Sequence, residues 1–140
     1  TDWSARKRVE AVMEDEAVAL LKKRFAIVNV WRSTAGTIEE WPLALCTWDS
    51  LDDGHLHTVE RRAYNRVGQT RHASYDQKND WFYFPQMTPD EAILIKNYDT
   101  ADDGRARYAL HTSFDDPTAA ENAAPRESLE TRVLAFFDEA

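Results

Sequence analysis

His111, Arg126 and Ser128 are the residues whose types and spacing point to chemistry. His111 lies in the alternating segment Tyr108-Ala-Leu-His-Thr-Ser113, Arg126 follows fifteen residues later, and Ser128 comes two residues after that. On a strand, positions i and i+2 project to the same face. Arg126 and Ser128 then present a guanidinium fork and a hydroxyl to one ligand, a pairing that suits a carboxylate. An imidazole on a neighbouring strand can bind a metal close by. Taken singly, each has a plainer reading: a strand histidine with satisfied hydrogen bonds, or an arginine in a surface ion pair.

These side chains need a sheet to hold them, and the rest of the chain reads as one. Residues 5–24 follow a helical spacing, with Val9, Val12, Met13, Ala17, Leu20 and Leu21 on one stripe, Ser4 at the expected N-cap and Lys22, Lys23 and Arg24 at the negative end of the dipole. The texture then changes to short β-branched and aromatic runs separated by turn residues. Strands are expected at Phe25–Trp31, Leu43–Trp48, His55–Tyr64, Arg71–Tyr75, Trp81–Phe84, Ala92–Tyr98, Arg105–Ser113 and Ser128–Phe137. Residues 115–125 read as an exposed loop, with Asp115-Asp116-Pro117 shaping a turn. One helix followed by seven or eight short strands predicts an all-β barrel or sandwich with a flanking helix.

Composition removes several function classes. The 140 residues carry a formal net charge of −8, which disfavours nucleic acid and an anionic membrane surface as partners. Hydrophobic residues make up 43%, too many for a disordered chain. No apolar run approaches the roughly 18 residues of a membrane-spanning helix. Cys46 is the single cysteine, so an intrachain disulfide is excluded and a reducing compartment, the cytoplasm, is the expected location. The chain begins at Thr1 rather than at a methionine.

A histidine beside an Arg-x-Ser anchor is what a non-haem iron oxygenase requires. Its iron is held by two histidines and one carboxylate on one face, which leaves open positions. The remaining ligands normally come as a His-x-Asp pair ahead of the distal histidine. Thr1-Asp2 is what would follow the histidine of a His-Thr-Asp motif, so the residue before Thr1 is expected to be histidine. Four blocks carry a family resemblance: Arg24-Phe-Ala-Ile-Val-Asn-Val-Trp-Arg32, Trp81-Phe-Tyr-Phe-Pro-Gln-Met-Thr-Pro-Asp-Glu-Ala92, Gly104-Arg-Ala-Arg-Tyr-Ala-Leu-His-Thr-Ser-Phe-Asp-Asp-Pro117 and Pro125-Arg-Glu-Ser128. They resemble the AsaB/CmcJ-type hydroxylase/desaturases, which include the fungal gibberellin desaturase.

The resemblance implies a double-stranded β-helix, or cupin-like jelly roll, with Fe(II) and 2-oxoglutarate as cofactors. It makes Asp2 and His111 iron ligands, and Arg126 and Ser128 the co-substrate anchor. It implies hydroxylation, desaturation or cyclisation at an unactivated C–H centre of a small secondary-metabolite or amino-acid-derived substrate, with dioxygen as the other partner. A homodimer is compatible with it. Family members are roughly twice this length, so residues 1–140 are expected to be the C-terminal part of one jelly-roll domain. Two alternatives stand beside this reading. One is a jelly-roll binding module without turnover, and the other is an iron oxidase whose Arg-x-Ser motif holds a substrate carboxylate without 2-oxoglutarate.

Asn29 and Trp31 share one strand face and are both candidate substrate contacts, with Asn29 the expected polar pocket residue. Tyr64, Trp81 and Tyr83 are candidate substrate walls, with core packing as the plainer reading. His55 and His57 form a His-x-His pair at a hairpin end, where solvent-exposed histidines are the favoured reading over a metal site.

Overall fold

A computed structural model describes residues 1–64 and 66–138. Helix α1 spans Asp2–Met13 and α2 spans Ala17–Leu20, joined by a 3-10 turn at Glu14–Glu16. The expected continuous helix over 5–24 is thus broken. Glu14, Asp15 and Glu16 put three carboxylates at the negative end of the α1 dipole, and Glu14 takes φ 44°. The N-cap is Thr1, whose Oγ1 accepts from the Ser4 amide, rather than Ser4 itself.

The strands are β1 (Arg24–Ser33), β2 (Leu43–Cys46), β3 (Leu56–Ala63), β4 (Arg66–Ala73), β5 (Trp81–Tyr83), β6 (Ile93–Asp99), β7 (His111–Ser113) and β8 (Ser128–Phe137). Two three-stranded antiparallel sheets form, ordered β6-β1-β8 and β5-β2-β7, and β3 pairs with β4 as a hairpin. Residues 105–110 do not join a strand, contrary to the alternation there. They cross between sheets: the Ala109 amide donates to Lys96 in the first sheet, and the Leu110 carbonyl accepts from Cys46 in the second.

Two clusters fill the interior. Trp31, Ile38, Leu43, Leu45, Met87, Ile93 and Ile95 join the two sheets. Ala5, Val9, Ala17, Phe25, Ile27 and Tyr98 seat the helix on the far end of the first sheet. Ile95 is fully buried. Ile95→Val removes one methylene from a closed site and is expected to cost about 0.5–1.5 kcal/mol in urea unfolding. A variant as stable as the parent would show that the two sheets close over the gap.

Candidate functional site

Strand register places the two halves of the candidate site. Ser33 lies opposite Ser128, Trp31 opposite Glu130, and Asn29 opposite Arg132. Directly opposed residues of an antiparallel pair project to one face. Trp31 marks that face as the inner one, because it belongs to the core between the sheets. In the second sheet His111 lies opposite Leu45, a member of the same core cluster. His111 therefore points from the second sheet toward the face of the first that carries Ser128.

The local chemistry of each residue follows from its partners. His111 Nδ1 lies 2.9 Å from the Ala109 carbonyl. A carbonyl only accepts, so Nδ1 is the donor, and in the neutral ring the lone pair falls on Nε2, the form that ligates a metal. Arg126 is half-buried, with Nη1 donating to the Trp41 carbonyl at 2.7 Å and its guanidinium 5.6 Å from the Trp31 ring centroid. Trp41 takes φ 49°, a left-handed conformation costly for a bulky residue, and in it offers that carbonyl. Among the described residues no other hydrogen bond engages the guanidinium. Ser128 is exposed at the start of β8.

Asp2 opens α1, and its Oδ1 accepts from Arg107 Nη2 at 3.0 Å. The Tyr98 hydroxyl is pushed above its ordinary pKa by burial first and by the Asp2 carboxylate next. The β3–β4 hairpin docks beside this turn, where the Gln69 side chain bonds Thr1 Oγ1 and the Gln69 amide donates to Ser4 Oγ at 3.1 Å. Asp2 and His111 supply a carboxylate and an imidazole, donor types that suit ferrous iron. Among the described residues no group of three His, Cys, Asp or Glu side chains converges on one point.

The other candidates fall out differently. Asn29 is buried, but both ends of its amide are taken: Nδ2 donates to Glu130 and Oδ1 accepts from Arg132 at 3.0 Å. It braces β8 rather than facing a ligand. Tyr64 stands exposed in the β3–β4 turn. Trp81 and Tyr83 pair with Cys46 and Ala44, on the face opposite Leu45 and His111. Phe82 is the aromatic on the His111 side, and it lines a cleft of about 560 Å³ with Phe84, Met87, Ile93 and Leu94. His55 Nδ1 and His57 Nε2 both lie within hydrogen-bond distance of the Ser74 hydroxyl, at 3.2 and 3.3 Å. Asp116 accepts from the Thr118 amide and hydroxyl, as a turn-forming aspartate does.

Comparison with known proteins fixes the family. A family model described as an oxidoreductase/YMDC permease-like domain matches residues 1–136. The chain belongs to this oxidoreductase family. Its relatives include the hydroxylase/desaturase asaB of Aspergillus flavus, 39% identical, with 89% of this chain and 60% of the relative aligned. Aspirochlorine biosynthesis protein N of Aspergillus oryzae is 35% identical over 96% of this chain and 57% of its own length. Among solved structures, the iron and alpha-ketoglutarate-dependent endoperoxidase NvfI superposes with a TM-score of 0.87 at 29% identity, covering 97% of this chain and 51% of that one. The chain spans about half the length of the curated relatives it matches.

The hydroxylase/desaturase family is the one the four sequence blocks resemble, and the fold it implied is the one found: a mostly β, cupin-like jelly roll with a flanking helix. None of the described helices is long and apolar enough to cross a membrane. Arg107 is the site residue that sequence reasoning passed over. Its one local signal is the alternation Arg105-Ala-Arg107 just ahead of His111.

Proposed function

We propose that the protein containing this chain is a non-haem Fe(II)/2-oxoglutarate-dependent oxygenase acting on a small secondary-metabolite or amino-acid-derived substrate. The chain is read as part of a single jelly-roll domain. The observation that carries the reading is His111, its Nδ1 engaged by the Ala109 carbonyl, facing the inner surface that holds Ser128 and Trp31, over which Arg126 lies. The named activities of the relatives support it.

In this reading His111 and Asp2 hold the iron. Bound Fe(II) with 2-oxoglutarate and dioxygen supplies the oxidising power for hydroxylation, desaturation or cyclisation at an unactivated C–H centre. The residues do the positioning. The Arg126 fork and the Ser128 hydroxyl take the far carboxylate of 2-oxoglutarate. Trp31 and the Trp41 carbonyl fix the arginine before the co-substrate arrives, which lowers the ordering cost of binding. Phe82 and its neighbours offer an apolar wall. The small-molecule substrate and dioxygen are the partners, and the reducing cytoplasm suits the buried free thiol of Cys46.

The test is Arg126→Ala. Hydrogen bonds to a charged group contribute about 1.5–3 kcal/mol, so the KM for 2-oxoglutarate is expected to rise roughly 10- to 100-fold. Succinate formation at limiting 2-oxoglutarate reads the change. An unaltered KM removes Arg126 from the anchor.

A further inference from the structure

The Asp2 carboxylate lies between the Arg107 guanidinium and the Tyr98 hydroxyl, and Arg107 makes its ion pair. Oδ1 accepts from Arg107, and that arginine is itself fixed by two further contacts. Its Nε donates to the Asp99 carbonyl at 3.1 Å, and its guanidinium lies 5.6 Å from the Tyr98 ring centroid. The Arg107 side chain is only 25% exposed. Asp99 is anchored in turn, because its buried carboxylate pairs with Arg24 and Lys96. An arginine held at three points has already lost the rotamer freedom that a surface arginine would give up on pairing.

Carboxylates that bind metals depend on outer hydrogen bonds to aim the ligating oxygen. We propose that Arg107 is the positioning residue for Asp2: it occupies Oδ1 and turns Oδ2 toward the iron. This rests on the Fe(II) reading above. Arg107 precedes His111 by four residues, so one segment carries one ligand and orients the other. The spacing between the two ligands is then set by five residues of backbone, 107–111, rather than by the path of the whole chain. The cluster of Arg24, Asp99 and Lys96 extends this support into the first sheet.

The experiment titrates Fe(II) anaerobically, and Co(II) by its visible absorption, into the intact apoprotein and its variants. Arg107→Ala is expected to weaken metal binding about 10- to 100-fold and to alter the Co(II) band, with circular dichroism unchanged. Arg107→Lys is expected to fall between, because one ammonium cannot serve Asp2 and the Asp99 carbonyl from a fixed fork. Should the alanine variant not fold, the lysine variant reads the same effect. Asp2→Ala is measured alongside. If Asp2→Ala loses metal while Arg107→Ala and Arg107→Lys bind as the parent does, the positioning role is overturned and the iron reading stands. If Asp2→Ala binds metal normally, the iron assignment of Asp2 falls, and the role of Arg107 with it.

Discussion

Replacing His111 with alanine is expected to remove iron binding and turnover together while leaving the fold in place. The imidazole is half-buried on an edge strand, and among the described residues its one hydrogen bond is to the Ala109 carbonyl. Losing that bond costs about 1 kcal/mol of stability, since water can replace it at the edge. The functional cost is far larger. On the proposed reading His111 would hold the metal and Arg126 and Ser128 the co-substrate, so the variant would keep the anchor and lose the metal site. Succinate formation is expected to fall by at least about 1,000-fold, a loss of roughly 4 kcal/mol of transition-state stabilisation. Anaerobic metal titration and succinate assay, each paired with a thermal melt, separate the two costs. A His111→Ala protein that melts like the parent and still makes succinate at the parent rate would end the oxygenase reading.

Asp99→Asn is expected to produce the largest loss of stability. The Asp99 carboxylate is wholly buried, accepting from Arg24 Nη2 at 2.9 Å, Arg24 Nε at 3.2 Å and the Ala101 amide at 2.9 Å, with Lys96 Nζ 3.2 Å away. Burial alone would raise its pKa. The Arg24 fork, the Ala101 amide and Lys96 together outweigh burial and hold the carboxyl well below the usual carboxylate range. A carboxyl whose folded pKa is depressed contributes stability above its unfolded pKa of about 3.9, and loses it as pH falls toward the folded value. The parent protein should therefore lose stability below about pH 4. Asparagine keeps the volume but strands two cations. The expected cost is about 3 kcal/mol, the low end for a broken buried pair. Arg24 and Lys96 keep 31% and 32% of their side chains in water, which moderates it. Urea unfolding across pH 3–7 reads both effects: at neutral pH the variant is weaker, and its acid limb is flatter. Equal stability at neutral pH would mean that desolvation already cancels the attraction.

Much of this molecule can be read before folding. The β8 strand was expected over Ser128–Phe137 and is found there. The spacing of His111 to Ser128 puts the two on different strands, and register turns both inward, whereas Arg126 precedes β8 and lies on no strand, so the shared strand face expected for Arg126 and Ser128 does not form. What resists reading is phase and distance. In Trp81-Phe-Tyr-Phe84 every position is aromatic, so a period of two gives no hint of which pair faces His111. Only pairing with β2 assigns Phe82 to that side. Asn29 looks like a pocket residue because its strand is apolar, but the groups that occupy its amide lie 101 and 103 residues later. Arg107 is one of 17 lysines and arginines, and its partner Asp2 is 105 residues away. The helix break at Glu14 shows the converse, where a local run of carboxylates overrode a good apolar stripe.

The pairing of β1 with β8 also sets an order of events during synthesis. Arg24 meets Phe137 and Ser33 meets Ser128, so the middle strand of the first sheet waits about a hundred residues for one of its two partners. Such non-local closure is slow, because the entropy of the intervening loop is lost before the contacts form. On the ribosome, β1 and β6 can pair early, leaving one edge of β1 bare until β8 emerges. Arg126 and Ser128 arrive with that last strand. The proposed carboxylate anchor is thus assembled in the step that seals the exposed edge, and a nascent chain unable to close the sheet would also leave Arg126 and Ser128 out of place.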